Sequence, residues 1–359
     1  MLRSSLGLTV ALLAGCQIVL GFEDHELATG GGGTGVGAGA TNSSSGPGST
    51  TTSSGMGGEG GQPPVVVFGA AEEIGDAGDA LTDIAVDGSE IFALSPPAAA
   101  LVVFMEGQAT PSTVASALDA PRGLVLDGGA LVTSANTGTD SEVLSITKAG
   151  VPTSLFGIAD AGNVYVAVGA EAGVAMASIG LEVRSAQSGG AGTLIGKAFN
   201  GSNVPAVARG EGQYFWVDTT AGRLLRSAGQ EVQPQHMPPG NQVDTVATMA
   251  SPSDLAIRAG EVYVVGQGGV GRVVATANNG SFAILTTVTD SPKGISVDST
   301  HVYWADGSTV RAIPVGADAG QPTVIYQGSE TPNDTVSRAD AIFFTTQSGK
   351  LFRVTKTLQ

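Results

Sequence analysis

The stretch SPKGISVDSTHVYWADGSTVRAIPV (291–315) decides the fold, because it recurs. It aligns with almost no gaps on TPNDTVSRADAIFFTTQSGKLFRV (331–354), and again on SPSDLAIRAGEVYVVGQGGVGRVVA (251–275) and NVPAVARGEGQYFWVDTTAGRLLRS (203–227). Shorter copies are APRGLVLDGGALVTSANTG (120–138) and LTDIAVDGSEIFAL (81–94), with a weaker one, AGNVYVAVGAEAGVAMAS, at 161–178. Fixed-period self-similarity of this kind is the mark of a repeat architecture and is read before anything else.

The residues just before the first strand-like run of each copy are Asp83, Gly123, Asn163, Ala206, Asp254, Gly294 and Asp334. They are separated by 40, 40, 43, 48, 40 and 40 residues. Each unit holds four short runs rich in Val, Ile and aromatics, such as Gly294–Asp298, His301–Ala305, Thr309–Pro314 and Thr323–Gln327. Asp-Gly, Gly-Gly and Asp-Ser pairs between the runs supply hairpin turns. No stretch keeps apolar residues at helical spacing for three turns. Four strands per 40–45 residues is the spacing of a β-propeller blade. The fold is therefore expected to be all-β, a seven-bladed propeller, with six blades as the fallback if the weak third unit belongs to its neighbours. The last unit lacks a fourth run, whereas Val65-Val66-Val67-Phe68-Gly69 resembles the fourth run Thr323–Gln327. The N-terminal strand is expected to complete the last blade and leave no open edge.

Upstream of the repeats the character changes. Residues 28–64 are almost entirely Gly, Ser, Thr, Ala and Pro, which can bury little apolar area. Such a segment reads as a flexible coil of roughly 30–37 Å r.m.s. reach. Before it stand a positive n-region at Arg3 and a short apolar run, Leu6–Leu13, too short for a permanent span. Then comes Leu13-Ala14-Gly15-Cys16, which holds the single cysteine of the chain. This quartet resembles the lipobox of bacterial lipoproteins. The resemblance implies cleavage before Cys16, a diacylglyceryl group on its thiol and acylation (palmitate) of its new amine. Two or more chains give stable attachment to membrane lipid. Gln17 in place of Asp points, by the enteric sorting rule, to the outer membrane. The expected organisation is a signal peptide at 1–15, a lipidated N-terminus and linker at 16–64, and a propeller domain at 65–359.

The pentads Val302-Tyr303-Trp304-Ala305-Asp306 and Tyr214-Phe215-Trp216-Val217-Asp218 resemble the second strand of YWTD-type and NHL-type propellers. That likeness speaks to architecture, since propellers host many unrelated functions.

Composition excludes several chemistries. With 32 acidic against 16 basic residues and a net charge of −16, no basic stripe for nucleic acid is expected. One cysteine makes neither an intrachain disulfide nor a cysteine zinc site. Gly266-Gln267-Gly268-Gly269-Val270-Gly271 spells a dinucleotide fingerprint, but a strand-like run rather than a helix follows, so it reads as a hairpin loop. His25, His236 and His301 share no ligand spacing, and His301 reads as a surface residue before a second strand. Trp216 and Trp304 read as packing between blades, each indole N–H finding a polar partner.

The candidate site is the mouth of the central channel. Asp83, Asp254 and Asp334 would point carboxylates toward one opening, with Asn163 as a fourth oxygen donor. Such a set suits Ca²⁺ or Mg²⁺. The plainer reading, in which the aspartates bond local backbone N–H groups in Asx-turns, is preferred. The expected function is a binding or scaffolding module in the bacterial cell envelope, engaging a protein, glycan or small ligand. The alternative is a carboxylate- and cation-dependent propeller enzyme of the lactonase or quinoprotein dehydrogenase kind.

Overall fold

The β-branched and aromatic runs of each repeat alternate with Gly-containing turns, so each run pairs with the next as an antiparallel hairpin. Blade 1 consists of Ile84–Asp87, Glu90–Ser95, Ala100–Met105 and Ser112–Ser116 in that order. The computed structural model describes residues 65–137, 140–159, 167–179, 182–187, 192–197, 203–229, 243–287, 292–317 and 319–359. Among them are seven sheets of this kind and no helix. The protein is an all-β, seven-bladed propeller. Residues 1–64, including Cys16 and His25, lie outside the described residues, as do His236 and Asn163.

The first strand of every blade lies against the first strands of the two neighbouring blades. The series Ile84–Asp87, Asp119–Asp127, Val168–Glu171, Val207–Gly210, Pro252–Arg258, Pro292–Val297 and Pro332–Ser337 thus closes on itself around the axis. Seven apolar layers fill the seven junctions between blades. Trp216, in the Tyr-Phe-Trp pentad of blade 4, packs on Val174 and Met176 of blade 3, and Trp304 of blade 6 packs on Tyr263 and Val265 of blade 5. Both indoles are fully buried. The expected polar partner is not found: among the described residues neither indole Nε1 has a hydrogen-bond partner. Burial of the ring alone holds it there, and truncating a buried Trp costs about 3–5 kcal/mol. The glycine-rich stretch at 266–271 is a hairpin turn in which Gly266 pairs with Gly269.

The last blade is made of Pro332–Ser337, Ala341–Thr346 and Lys350–Leu358, completed on its outside by the N-terminal strand Val66–Asp76. That closing strand is longer than the apolar run 65–69 suggested. Its second half, Ala71–Asp76, has little β propensity but pairs with the long C-terminal strand and gains ion pairs, Glu72 with Arg353 (2.8 Å) and Glu73 with Lys350 (3.0 Å). Two register shifts, at Phe68/Ala71 and Glu73/Gly75, bend it to fit. Blade 4 carries one addition: Gly280–Ser281, from the connection before the outer strand of blade 5, pairs in parallel with the blade 4 outer strand Val243–Thr248.

Candidate functional site

The equivalent positions at the start of the inner strands are identified by one backbone bond. Leu94 N–H donates to Asp83 O, Ser178 to Ala167 and Val217 to Ala206. In blade 3 this place belongs to Ala167. The weak third repeat was therefore read four residues out of step, and its inner strand begins at Val168. Asn163 is not at the equivalent position. In ring order the seven positions are Asp83, Gly123, Ala167, Ala206, Asp254, Gly294 and Asp334. Asp334 and Asp83 are thus on adjacent blades, and Gly294 separates Asp254 from Asp334.

Asp254 and Asp334 each join their own blade to the next. Asp254 Oδ1 accepts from Leu255 N (2.8 Å) and Oδ2 from Ile295 N of blade 6 (2.8 Å). Asp334 Oδ1 accepts from Thr335 N (2.7 Å) and Oδ2 from Ile84 N of blade 1 (3.2 Å), across the seam where the ring closes. For Asp83 the Gly123 N–H of blade 2 and the Thr82 side chain are near enough to favour the charged form, without a bond of the kind that Asp254 and Asp334 make. The carboxylates of Asp254 and Asp334 do bond backbone N–H groups, but those of the following residue and of the neighbouring blade rather than of a local Asx-turn. At the start of the inner strand a carboxylate reaches a backbone N–H of the next blade's inner strand, an otherwise costly buried donor.

The glycines in this series follow from the same crowding. Gly294 has φ +41°, and a Cβ on it would collide with the Cα and Oδ1 of Asp334. Gly123 has φ +61°, and its Cβ would lie 2.7 Å from Val168 N. A side chain fits only where the approach is looser.

Electrostatics sets the three carboxylates apart. All are half-buried and enclosed by protein. Burial raises the pKa of Asp254 to about 6 against the pull of its two N–H donors, and the charge of Asp83 adds to the rise. Burial, then Asp254, then Asp83, push Asp334 well above the usual carboxylate range. Asp83 is raised by burial, with Thr82, Gly123 and the nearby Arg122 opposing. Like charges that share a narrow space resist joint ionisation. Among the described residues, no group of three or more His, Cys, Asp or Glu side chains is placed to hold a metal ion. The expectation of Ca²⁺ held by these aspartates thus meets no cage: Asp254 and Asp334 each commit both oxygens to backbone N–H.

A second cluster was missed by the sequence reading. Asp298 and Lys356 form a buried pair at 2.5 Å, their side chains 3% and 5% exposed. Asp298 Oδ1 also accepts from Thr300 N (2.7 Å), Thr300 Oγ1 (2.7 Å) and His301 N (2.9 Å), and Oδ2 from Tyr303 Oη (2.8 Å). His301 is half-buried rather than a surface residue. Its ring meets Phe68 edge-on with centroids 5.3 Å apart, and stacks on Tyr303 at 6.0 Å. It is the single histidine among the described residues, and it lies on blade 6 away from the strand starts. The Asp-Ser-Thr-His spelling signals only a turn. Nothing in it points to a lysine 58 residues on.

No family model and no curated protein sequence matches the chain. Solved structures do resemble it. A streptogramin B lyase superposes with TM-score 0.64 at 13% identity, covering 81% of this chain and 98% of that one. A PQQ-bound aldose sugar dehydrogenase from Streptomyces coelicolor gives 0.54 at 11%, covering 82% and 99%. BamB from Moraxella catarrhalis gives 0.53 at 11%, covering 77% and 86%. Likeness at such low identity is likeness of fold: the chain shares the propeller architecture with proteins of different function.

Proposed function

We propose that this protein is an exported bacterial lipoprotein, anchored through an acylated Cys16, whose propeller is a binding or scaffolding module in the cell envelope at the outer membrane. The observation that supports it most is the placement of the closing strand. Val66–Asp76 is the outermost strand of its blade, so the chain N-terminal to it joins the domain at the perimeter. A tether attached there leaves the ends of the inner strands, and hence both axial openings, unobstructed by the attachment itself. The segment before it, 28–64, is rich in Gly, Ser and Thr, a composition suited to a spacer. The axial end where the inner strands begin, marked by Asp83, Asp254 and Asp334, is the face we assign to a protein, glycan or small-molecule ligand.

The anchor is tested by Cys16→Ser. Loss of palmitate labelling and release of the variant from membranes is the expected result. Continued membrane association without label would overturn the anchoring reading. The binding face is tested by affinity capture on the full-length chain against an Asp83→Asn/Asp254→Asn/Asp334→Asn variant. A ligand retained equally by both proteins would remove that face from the proposal.

A further inference from the structure

The closing strand is not gripped evenly along its length. After Phe68 the register shifts, so Val66, Val67 and Phe68, opposite Leu358, Thr357 and Lys356, form a short segment apart from the pairing that resumes at Ala71. Its flanks are wet: Val65, Val67 and Leu358 are 59%, 41% and 62% exposed. What inserts is Phe68, edge-on to both His301 (5.3 Å) and Tyr303 (6.3 Å). So few pairs without a buried side chain would fray.

We propose that His301 is a pH-operated catch on this segment: neutral, it packs against Phe68 and keeps residues 65–70 on blade 6; protonated, it becomes a second cation beside Lys356 and lets them open.

The surroundings decide the sign. The ring is faced by Tyr303 on its own strand, by Asp298 and Thr300 on the preceding turn, and by Phe68 and Lys356 on the closing pair. Asp340, whose carbonyl accepts from Lys356 N (2.7 Å), and Arg338 stand behind Lys356. The one nearby anion, Asp298, is already filled by Lys356, Tyr303, Thr300 and the His301 backbone N–H. His301 Nδ1 is buried and has no hydrogen-bond partner among the described residues. A neutral ring can carry its proton on Nε2 and leave Nδ1 bare. Protonation puts an N–H on Nδ1 with no acceptor, in a half-buried aromatic pocket. Burial, reinforced by Lys356 and opposed by Asp298, holds the imidazole below its ordinary range. A depressed histidine stabilises the closed form above its unfolded pKa, and that contribution is lost as pH falls.

Hydrogen exchange on the full-length chain at pH 7.5 and pH 5, corrected for intrinsic rates, tests this. Protection of peptides covering 65–70 should fall severalfold at pH 5, while that of 84–95 holds. His301→Phe fills the same pocket without titrating and should keep protection at both pH values. Equal wild-type protection at both values, or the same loss in His301→Phe, would overturn the proposal. Should that variant fold poorly, NMR titration of wild-type His301 decides: a pKa below the free-histidine value of about 6.5 supports the catch, and one at or above it overturns it.

Discussion

Asp298 and Asp334 are both largely enclosed aspartates in the same fold, one at the blade 6–7 rim and one on the axis, and their environments drive them in opposite directions. Asp298 is ringed by donors and a lysine; although burial works against it, Lys356, the His301 N–H and Thr300 hold its pKa below the ordinary range. Asp334 receives two backbone N–H groups, which are outweighed by burial and by Asp254 and Asp83. The lesson is that a count of hydrogen bonds does not predict a carboxylate's charge; what matters is whether a countercharge shares the burial. The rim cluster is a satisfied ion pair that ties blade 6 to the C-terminal strand, whereas the axial carboxylates have no countercharge to share their burial.

The contrast can be broken at its strongest point by Lys356→Met. Removing one partner of a buried pair leaves Asp298 uncompensated, and urea unfolding at pH 7 should show a loss of about 3–5 kcal/mol. A loss under 1 kcal/mol would mean that Asp298 is solvated after all. Next in size is Gly294→Ala. Its positive φ and the collision with Asp334 should cost about 1–3 kcal/mol, measured in the same way. An unchanged midpoint would show that the inner ring is slack.

A smaller effect of opposite sign is expected on the axis. The folded pKa of Asp254 is raised, so its ionisation is penalised in the fold: stability from this group is highest below about pH 4 and declines as pH rises through about 6. Asp254→Asn removes that penalty but loses one accepted N–H bond. The net gain should be about 1 kcal/mol at pH 8 and turn into a loss of about 1–2 kcal/mol by pH 4, where only the missing bond counts. A variant less stable than wild type at pH 8 would show the carboxylate to be favourably charged. Smallest of all is calcium. Calorimetry on the full-length chain should detect no binding at the axial aspartates, because their oxygens are already engaged. A heat signal lost in the triple Asn variant would restore a cation site there.

Much of the architecture was legible because a blade is a local object. Its four strands lie within about 42 residues, and the turn pairs between them mark their limits, so the period alone revealed the ring. The third repeat was misread because Val164-Tyr165-Val166 looks more strand-like than Val168-Gly169-Ala170, yet the inner-strand register is set by the hairpin at Ala172-Gly173. The extension of the closing strand through Ala70–Asp76 was invisible because it depends on Arg353 and Lys350 across the sheet. The axial aspartates were placed by their repeat position, but the staples from Asp254 to Ile295 and from Asp334 to Ile84 require knowledge of which strand comes next in space. The Asp298–Lys356 pair joins two blades and carries no local signature.

Ring closure by the N-terminal strand underlies the fold, the perimeter tether and the catch alike. Val65 and Gln359 exchange both backbone hydrogen bonds, at 3.3 and 2.9 Å, which makes the neighbouring Val66 and Leu358 a non-hydrogen-bonded pair. Such pairs bring Cα atoms to about 4.5 Å, within the range a disulfide spans. In a Cys16→Ser background, Val66→Cys/Leu358→Cys should form an intramolecular disulfide under mild oxidation and raise the unfolding midpoint. Thiols that stay reduced, or that link only separate molecules, would contradict closure of the propeller by its first strand.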